Sequence, residues 1–318
     1  MRILAALLLA LAAQTVRAEG DALSWLQRIH AATQKLSYTG TFVYRGGNQT
    51  ETSRIVRIVG PNGARERLET LDGHPREIVR SGDEVKCYLP DSMTVKVDKQ
   101  ADHKVFPALL PSNLQDIREN YAVTKGGIER VAGYDCQAIV LEPRDKMRYG
   151  HRLWADANTG MLLKSQTFND RKEVVEQFAF TQISIGGRID PGQLKSRFLA
   201  KSRDWHVENS GAFATSLAAS GWTIGPELPG FRKITEMKRT QRGSSDVGHV
   251  VYSDGLAAVS VFIEPMASKA NMPQPGPSRQ GAINIYSRQI AEHLVTVVGE
   301  TPAESVKKIA DSVEYRKP

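Results

Sequence analysis

The chain has 318 residues, 41% of them hydrophobic and 24% charged, and its 42 Lys and Arg against 35 Asp and Glu give a formal charge of +7. That balance is ordinary for a globular protein and excludes a disordered or collagen-like chain. The length predicts two domains, each able to bury its own core.

In chain order, Met1–Ala18 reads as a secretory signal peptide. Arg2 supplies the positive start, Ile3–Ala13 the apolar run, and Val16-Arg17-Ala18 small residues at the cleavage positions. The run is too short to span a bilayer. Loss of Arg2 and Arg17 leaves +5 on a mature chain expected to start near Glu19, outside the cytoplasm. An amphipathic helix follows, capped by Asp21, with Ala22, Trp25, Leu26, Ile29, Ala32 and Thr33 on one face and its end near Lys35. The period then changes. Short alternating runs (Tyr38–Arg45, Thr52–Val59, Ala64–Leu71, Arg76–Ser81, Glu84–Leu89, Met93–Val97) are separated by Gly, Pro, Asn and Asp, the pattern of an antiparallel meander. A short helix through Leu114 and Ile117 interrupts it. Strands resume at Tyr121–Lys125, Gly127–Val131 and Cys136–Pro143, then in a hairpin around Asp156–Gly160 and finally in Glu173–Ile185. About ten strands with two helices predict a strongly curved sheet over residues 19–187.

From 188 to 212 the pattern dissolves into a polar, basic stretch, read as a linker. Residues 213–318 are predicted to form a smaller sheet (Arg232–Arg239, Gly248–Tyr252, Ala257–Pro265, Ala282–Ile290, His293–Val298) closed by one helix. Thr301, Pro302 and Glu304 look like a capping box for that helix, and Met266–Gly281 like a surface loop. The fold class expected is α+β: an N-terminal antiparallel half-barrel with covering helices, plus a smaller C-terminal antiparallel sheet with a helix.

No nucleophile elbow, zinc-protease motif, Walker loop or dinucleotide fingerprint occurs, and the seven histidines lack ligand spacing, so no enzyme activity, metal or cofactor is expected. Nucleic acid is not expected either, because the basic excess is spread over the linker and the edge of the second domain. Its clearest cluster, Arg232, Lys233, Lys238, Arg239 and Arg242, is either a solvated face or a surface for an acidic peptide or lipid phosphates. The two cysteines, Cys87 and Cys136, either pair across a long loop or stand as separate buried thiols, and their positions do not choose between these. What remains is hydrophobic binding. Phe42, Tyr44, Leu68, Tyr88, Leu153, Leu163, Phe178 and Phe180 are candidates to line the concave face. Either helices fill that concavity as core, or a cavity there holds an acyl chain.

Certain strings occur together in order: Arg65-Glu66-Arg67-Leu68, Leu71-Asp72-Gly73, Arg76-Glu77-Ile78-Val79-Arg80 and Arg148-Tyr149 in the first part. In the second stand Leu228-Pro229-Gly230-Phe231, Val251-Tyr252-Ser253-Asp254-Gly255-Leu256, Ser260-Val261-Phe262-Ile263-Glu264 and Val295-Thr296-Val297-Val298-Gly299-Glu300. In these the chain resembles the MucB/RseB family of periplasmic regulators of the envelope-stress sigma factor. The resemblance implies a first domain like the lipoprotein carriers of the LolA/LolB type. It also implies binding to the periplasmic segment of a membrane-spanning anti-sigma factor, shielded from the site-1 protease and released when lipid or lipopolysaccharide is sensed. A homodimer or larger oligomer in the periplasm is implied as well. The reading from another class is a lipid or lipoprotein carrier without a signalling partner.

Overall fold

A computed structural model describes residues 21–99, 109–111, 113–209, 211–225, 228–240, 247–266 and 275–317. The signal-peptide segment, Arg242 and residues 267–274 of the expected surface loop lie outside the described residues.

The first helix, α1 (residues 21–35), buries the face expected of it: Ala22, Trp25, Leu26, Ile29, Ala32 and Thr33 are all inside. Fully burying each large apolar side chain contributes about 1.5–3 kcal/mol, which fixes the helix on the sheet more firmly than its own propensity does. Asp21 does not act as a cap; its carboxylate takes a hydrogen bond from Lys125 Nζ at 2.8 Å.

The first meander is β1 (Tyr38–Gly46), β2 (Gln49–Gly60), β3 (Gly63–Thr70), β4 (Glu77–Ser81), β5 (Glu84–Leu89) and β6 (Thr94–Lys99). After helix α2 (Gln115–Asn120) the second is β7 (Tyr121–Val131), β8 (Tyr134–Pro143), β9 (Gly150–Asp156), β10 (Leu162–Phe168) and β11 (Val174–Ile185). The two strands expected at 121–131 are one, β7, because a bulge between Lys125 and Ile128 absorbs Gly126-Gly127 without ending the pairing. β1 pairs with β11 and so joins both meanders in one twelve-stranded sheet. The sheet curls tightly enough for Tyr134 Oη on β8 to donate to Ile183 O on β11 at 3.2 Å, with two strands between them in the order.

Strand pairing assigns the faces, because directly paired residues point the same way. Phe42, Ile55, Leu68, Leu153, Leu163, Phe178 and Phe180 face inward, with Trp25, Leu26, Ile29 and Ile117 packed against them. Tyr88 does not. Its register partners are Glu77 and Val95, which lie on the outer face, while its neighbour Cys87 is the inward residue. The concave-lining expectation for Tyr88 is therefore corrected. Cys87 and Cys136 are free thiols on β5 and β8, with seven strands between them in the sheet order, so the disulfide alternative is not realised.

The outer face has its own cover. Residues 186–205, expected to be featureless, cross it as an ordered belt with Leu194 and Ser196 buried. Arg197 binds Glu69 at 2.7 Å and Glu77 at 3.0 Å, Arg67 binds Glu69 at 3.1 Å, and Arg67 Nη1 also donates to Lys195 O at 3.2 Å. The belt then adds β12 (His206–Asn209) parallel to β6, and the chain passes to β13 (Gly211–Ala214), which pairs with β15 (Arg232–Thr240) of the second sheet. Two strands have formed in what read as a linker because free sheet edges supply the backbone partners that local sequence does not specify.

The second sheet continues through β16 (Val247–Ser253), β17 (Ala258–Pro265), β18 (Gly276–Gln280), β19 (Ile283–Ile290) and β20 (His293–Gly299) in the order β13-β15-β16-β17-β20-β19-β18. β14 (Trp222–Ile224) and β21 (Val313–Tyr315) form a small separate pair. β18 occupies part of the expected surface loop. Helix α3 (Ala303–Asp311) lays Val306, Ile309 and Ala310 on Val259, Val261, Val295 and Val297. Its capping residue is Pro302, without a side-chain cap bond, so the expected capping box is not formed and Thr301 lies one residue outside it. The fold is thus α+β, with a large curled sheet covered by helices and a smaller sheet with one helix.

Candidate functional site

On the concave face, Phe42 and Phe180 (ring centroids 5.7 Å apart), Leu153 and Leu163 are buried in a packed core, with Leu68 and Phe178 at its margin. Among the described residues, Trp25, Leu26 and Ile29 of α1 belong to the same core, so Phe42, Phe180, Leu153 and Leu163 are core side chains, while Leu68 and Phe178 are only partly buried. Tyr44 differs. It stands at one rim of the curled sheet, its ring 4.8 Å from Phe178, and borders a cleft of about 820 Å³. Polar groups stand in its lining beside Pro75 and Leu89: Glu51 is paired with Arg76 at 3.0 Å, His74 with Asp91 at 2.7 Å, and Thr70 and Ser92 add hydroxyls.

The partner-surface candidates do not converge. Pairing places Arg232 and Arg239 on one face of the second sheet and Lys233 and Lys238 on the other. Lys233 holds Glu236 at 2.5 Å beside a 180 Å³ pocket lined by Trp222 and Tyr252, and Lys238 donates to Ser220 Oγ at 3.1 Å. Arg232 crosses to the first domain and binds Asp116 of α2 at 2.9 Å. Arg239 keeps a buried Nε without a partner. No group of His, Cys, Asp or Glu among the described residues is arranged to hold a metal.

The contacts that sequence reasoning missed are at the same rim as Tyr44, where the second domain docks. Arg148, just before β9, has a fully buried side chain, and so does Asp254, in the turn after β16; they pair at 2.8 Å across the two domains. Tyr121 Oη donates to the same carboxylate at 2.9 Å, while Asp254 Oδ1 accepts the backbone N–H groups of Leu256 and Ala257 at 2.9 and 2.8 Å. Arg148 is further held by Asp145 at 2.9 Å, by the carbonyl of Pro229 and by the Phe231 ring at 5.1 Å. A buried charge pair is tolerable only when its remaining hydrogen-bonding positions are met, and here they are. Burial and the Asp254 charge hold the Tyr121 phenol well above its ordinary range. Burial also drives the His151 imidazole, on the same rim, down to about 4, so it is neutral.

The seam continues through Asn284 Nδ2, which donates to Tyr149 Oη at 2.9 Å, and Ser305 Oγ, which donates to Met147 O at 2.8 Å. At Gly47 and Gly281, both with positive φ, the two backbones approach so closely that a Cβ on Gly47 would lie 2.9 Å from the Gly281 Cα. Beyond this contact stand two carboxylates, Glu176 of β11 and Glu300 after β20. Burial first, and then the Glu300 charge, push Glu176 up to about 7; burial also raises Glu300. Burial and the Glu176 charge raise the Tyr44 phenol. The signal for this seam was present in the sequence. Arg148-Tyr149, the Pro229 string, the Asp254 string and the string ending in Glu300 were all singled out as an ordered set, but nothing local shows that they meet.

The chain matches the MucB/RseB N-terminal domain over residues 21–198 and the MucB/RseB C-terminal domain over residues 216–314. It is 32% identical over 301 residues to the sigma factor AlgU regulatory protein MucB of Pseudomonas aeruginosa, covering 92% of this chain and 90% of that protein. It is 24% identical over 296 residues to the sigma-E factor regulatory protein RseB of Escherichia coli, covering 91% and 89%. Among solved structures, MucB in complex with MucA(peri) superposes with a TM-score of 0.71 at 29% identity, covering 93% of this chain and all (100%) of that one. A Pseudomonas aeruginosa MucA/MucB complex gives 0.72 at 28% identity, covering 94% and 100%. Both sheets and the seam between them fall inside these matches, and the chain belongs to the MucB/RseB family of regulatory binding proteins, which are not enzymes.

Proposed function

We propose that this protein is a periplasmic negative regulator that binds the periplasmic segment of a transmembrane anti-sigma factor. By doing so it shields that segment from site-1 proteolysis and releases it when lipid or lipopolysaccharide is sensed. The observation that carries this reading is the similarity, over both domains together, to MucB solved in complex with the periplasmic part of MucA. The apolar run at Ile3–Ala13 supports export, and no described helix is long and apolar enough to cross a membrane. The rim cleft supports the lipid arm: its hydroxyls, amides and charges suit a headgroup, and Tyr44 and Phe178 stand between it and the core. An acyl chain entering there competes with α1 for the concave face, which gives lipid a way to alter the arrangement of the domains. Only a ligand that favours one arrangement over another can do so. A homodimer or larger oligomer is part of the proposal.

The test is a pull-down of the anti-sigma factor's periplasmic domain by the mature chain, with and without lipopolysaccharide. Capture without lipid and loss of capture with it is the expected result; no capture in either condition overturns the proposal. For the lipid arm, Phe178→Arg in a protein that still folds is expected to abolish lipid binding. Unchanged binding would remove that position from the site.

A further inference from the structure

We propose that the belt over the outer face is a membrane-contact surface, whose exposed cations and apolar side chains seat on the anionic phospholipid headgroups of a bilayer leaflet. Charge is the first observation. Residues 195–205 hold Lys195, Arg197, Lys201 and Arg203 against one acid, Asp204. Arg197 is spent on Glu69 and Glu77, but Lys195, Lys201 and Arg203 are exposed and form no ion pair among the described residues. On β15, by contrast, Arg232 is held by Asp116 and Lys233 by Glu236. The three belt cations are free to meet an anion from outside.

Apolar side chains stand among these cations. Leu199 is 52% exposed, Val207 46% and Met93 63%, three of the seven large apolar side chains exposed among the described residues. Local hydrogen bonds hold them close together. Leu199 N donates to Ser196 O, Ser202 N to Phe198 O and Trp205 N to Ser202 O, so 196–205 folds into consecutive tight turns, with the Phe198 and Trp205 rings 5.8 Å apart. His206 N donates to Met93 O at 2.9 Å, which ties Met93 to the end of those turns. Val207 pairs with Val95, an outer-face residue, and so points to the side that the belt crosses. Such a mixture suits a lipid interface: acyl chains take the apolar groups, tryptophan sits at headgroup level, and phosphates attract Lys and Arg. An acidic peptide would meet the cations but leave Leu199 and Met93 in water. Charge and apolar surface together therefore select the bilayer as occupant.

The experiment is co-sedimentation of the mature chain with phosphatidylcholine vesicles, with and without phosphatidylglycerol, together with tryptophan emission. Binding is expected only where phosphatidylglycerol is present, and it should weaken as salt rises from about 0.05 M to about 0.5 M. Lys201→Gln with Arg203→Gln removes two cations worth about five-fold each at an anionic surface, so partitioning about thirty-fold weaker is expected. Leu199→Ser should weaken it several-fold at constant charge. Trp25, Trp154 and Trp222 are buried, so a blue shift on binding reports the half-buried Trp205 and should vanish in Trp205→Phe. Equal binding to both vesicles, unchanged binding in the double variant, or a blue shift that survives in Trp205→Phe overturns the proposal. Capture by immobilised polyglutamate without capture by vesicles overturns it too, in favour of an acidic peptide. The vesicles hold no lipopolysaccharide and no anti-sigma factor, so failure here leaves the proposed function standing, and a failed pull-down does not bear on this surface.

Discussion

The concave core and the interdomain seam lie a few residues apart on the same strands, yet they are held by different physics. β1 runs from Phe42 in the core to Tyr44 and Gly46 at the seam, and β11 from Phe180 to Glu176. In the core, attraction is non-directional, so any set of apolar side chains of suitable volume against α1 would serve. In the seam a buried polar group needs a specific partner, as Arg148 has in Asp254 and Pro229 of the other domain and in Asp145 of its own. The lesson is that the fold tolerates substitution in its core better than at its joint.

Four measurements break or sharpen that contrast. Arg148→Met should have the largest effect, because it leaves Asp254 buried and unpaired; loss of about 3–5 kcal/mol in urea unfolding is expected. Part of it should return in the double variant with Asp254→Asn, whereas additivity would deny that the pair acts as a unit. Leu163→Ala, fully buried beneath α1, should cost about 2–5 kcal/mol of first-domain stability while leaving hydrogen-exchange protection at the seam unchanged. A change at the seam instead would mean that core and joint are one cooperative unit. His151 provides the pH arm. Its lowered value means that the unfolded chain takes up more protons between pH 6.5 and about 4, so its contribution is full above 6.5 and lost on acidification. The effect is up to about 3 kcal/mol. Wild type and His151→Gln compared by urea unfolding at pH 4.5 and 7 should differ by that slope. The smallest effect belongs to Arg197→Ala in the belt. Its exposed guanidinium shares Glu69 and Glu77 with Arg67, so about 1 kcal/mol is expected, with faster proteolysis between residues 186 and 205. No change in proteolysis would mean that Leu194 and β12 hold the belt without the ion cluster.

Much of the first sheet was readable, since Gly, Asn, Asp and Pro turns punctuate alternating runs and α1 has a clean apolar stripe. Where reading failed, the failures have local reasons. In Glu84–Leu89 both parities carry an apolar residue, Val85 and Cys87 against Tyr88, so only pairing with Glu77 could show that Tyr88 turns outward. The segment 188–212 lacks periodicity because its order comes from Glu69, Glu77 and a free edge of β6, all distant in sequence. The basic residues read as one cluster, but pairing along β15, with its bulge between Lys233 and Thr235, splits the four described ones between two faces.

By itself, then, the sequence determined the three helices, most strands of the two meanders, the inward face of α1, most of the apolar set on the curled sheet and the family through its ordered strings. Those properties follow from residue period and turn chemistry, which act over a few residues. Tertiary structure decided that α1 packs into the concavity, that the cysteines stay apart, and that Arg148 meets Asp254. Each of these depends on which strands become neighbours, and that is set by burial summed over the whole chain.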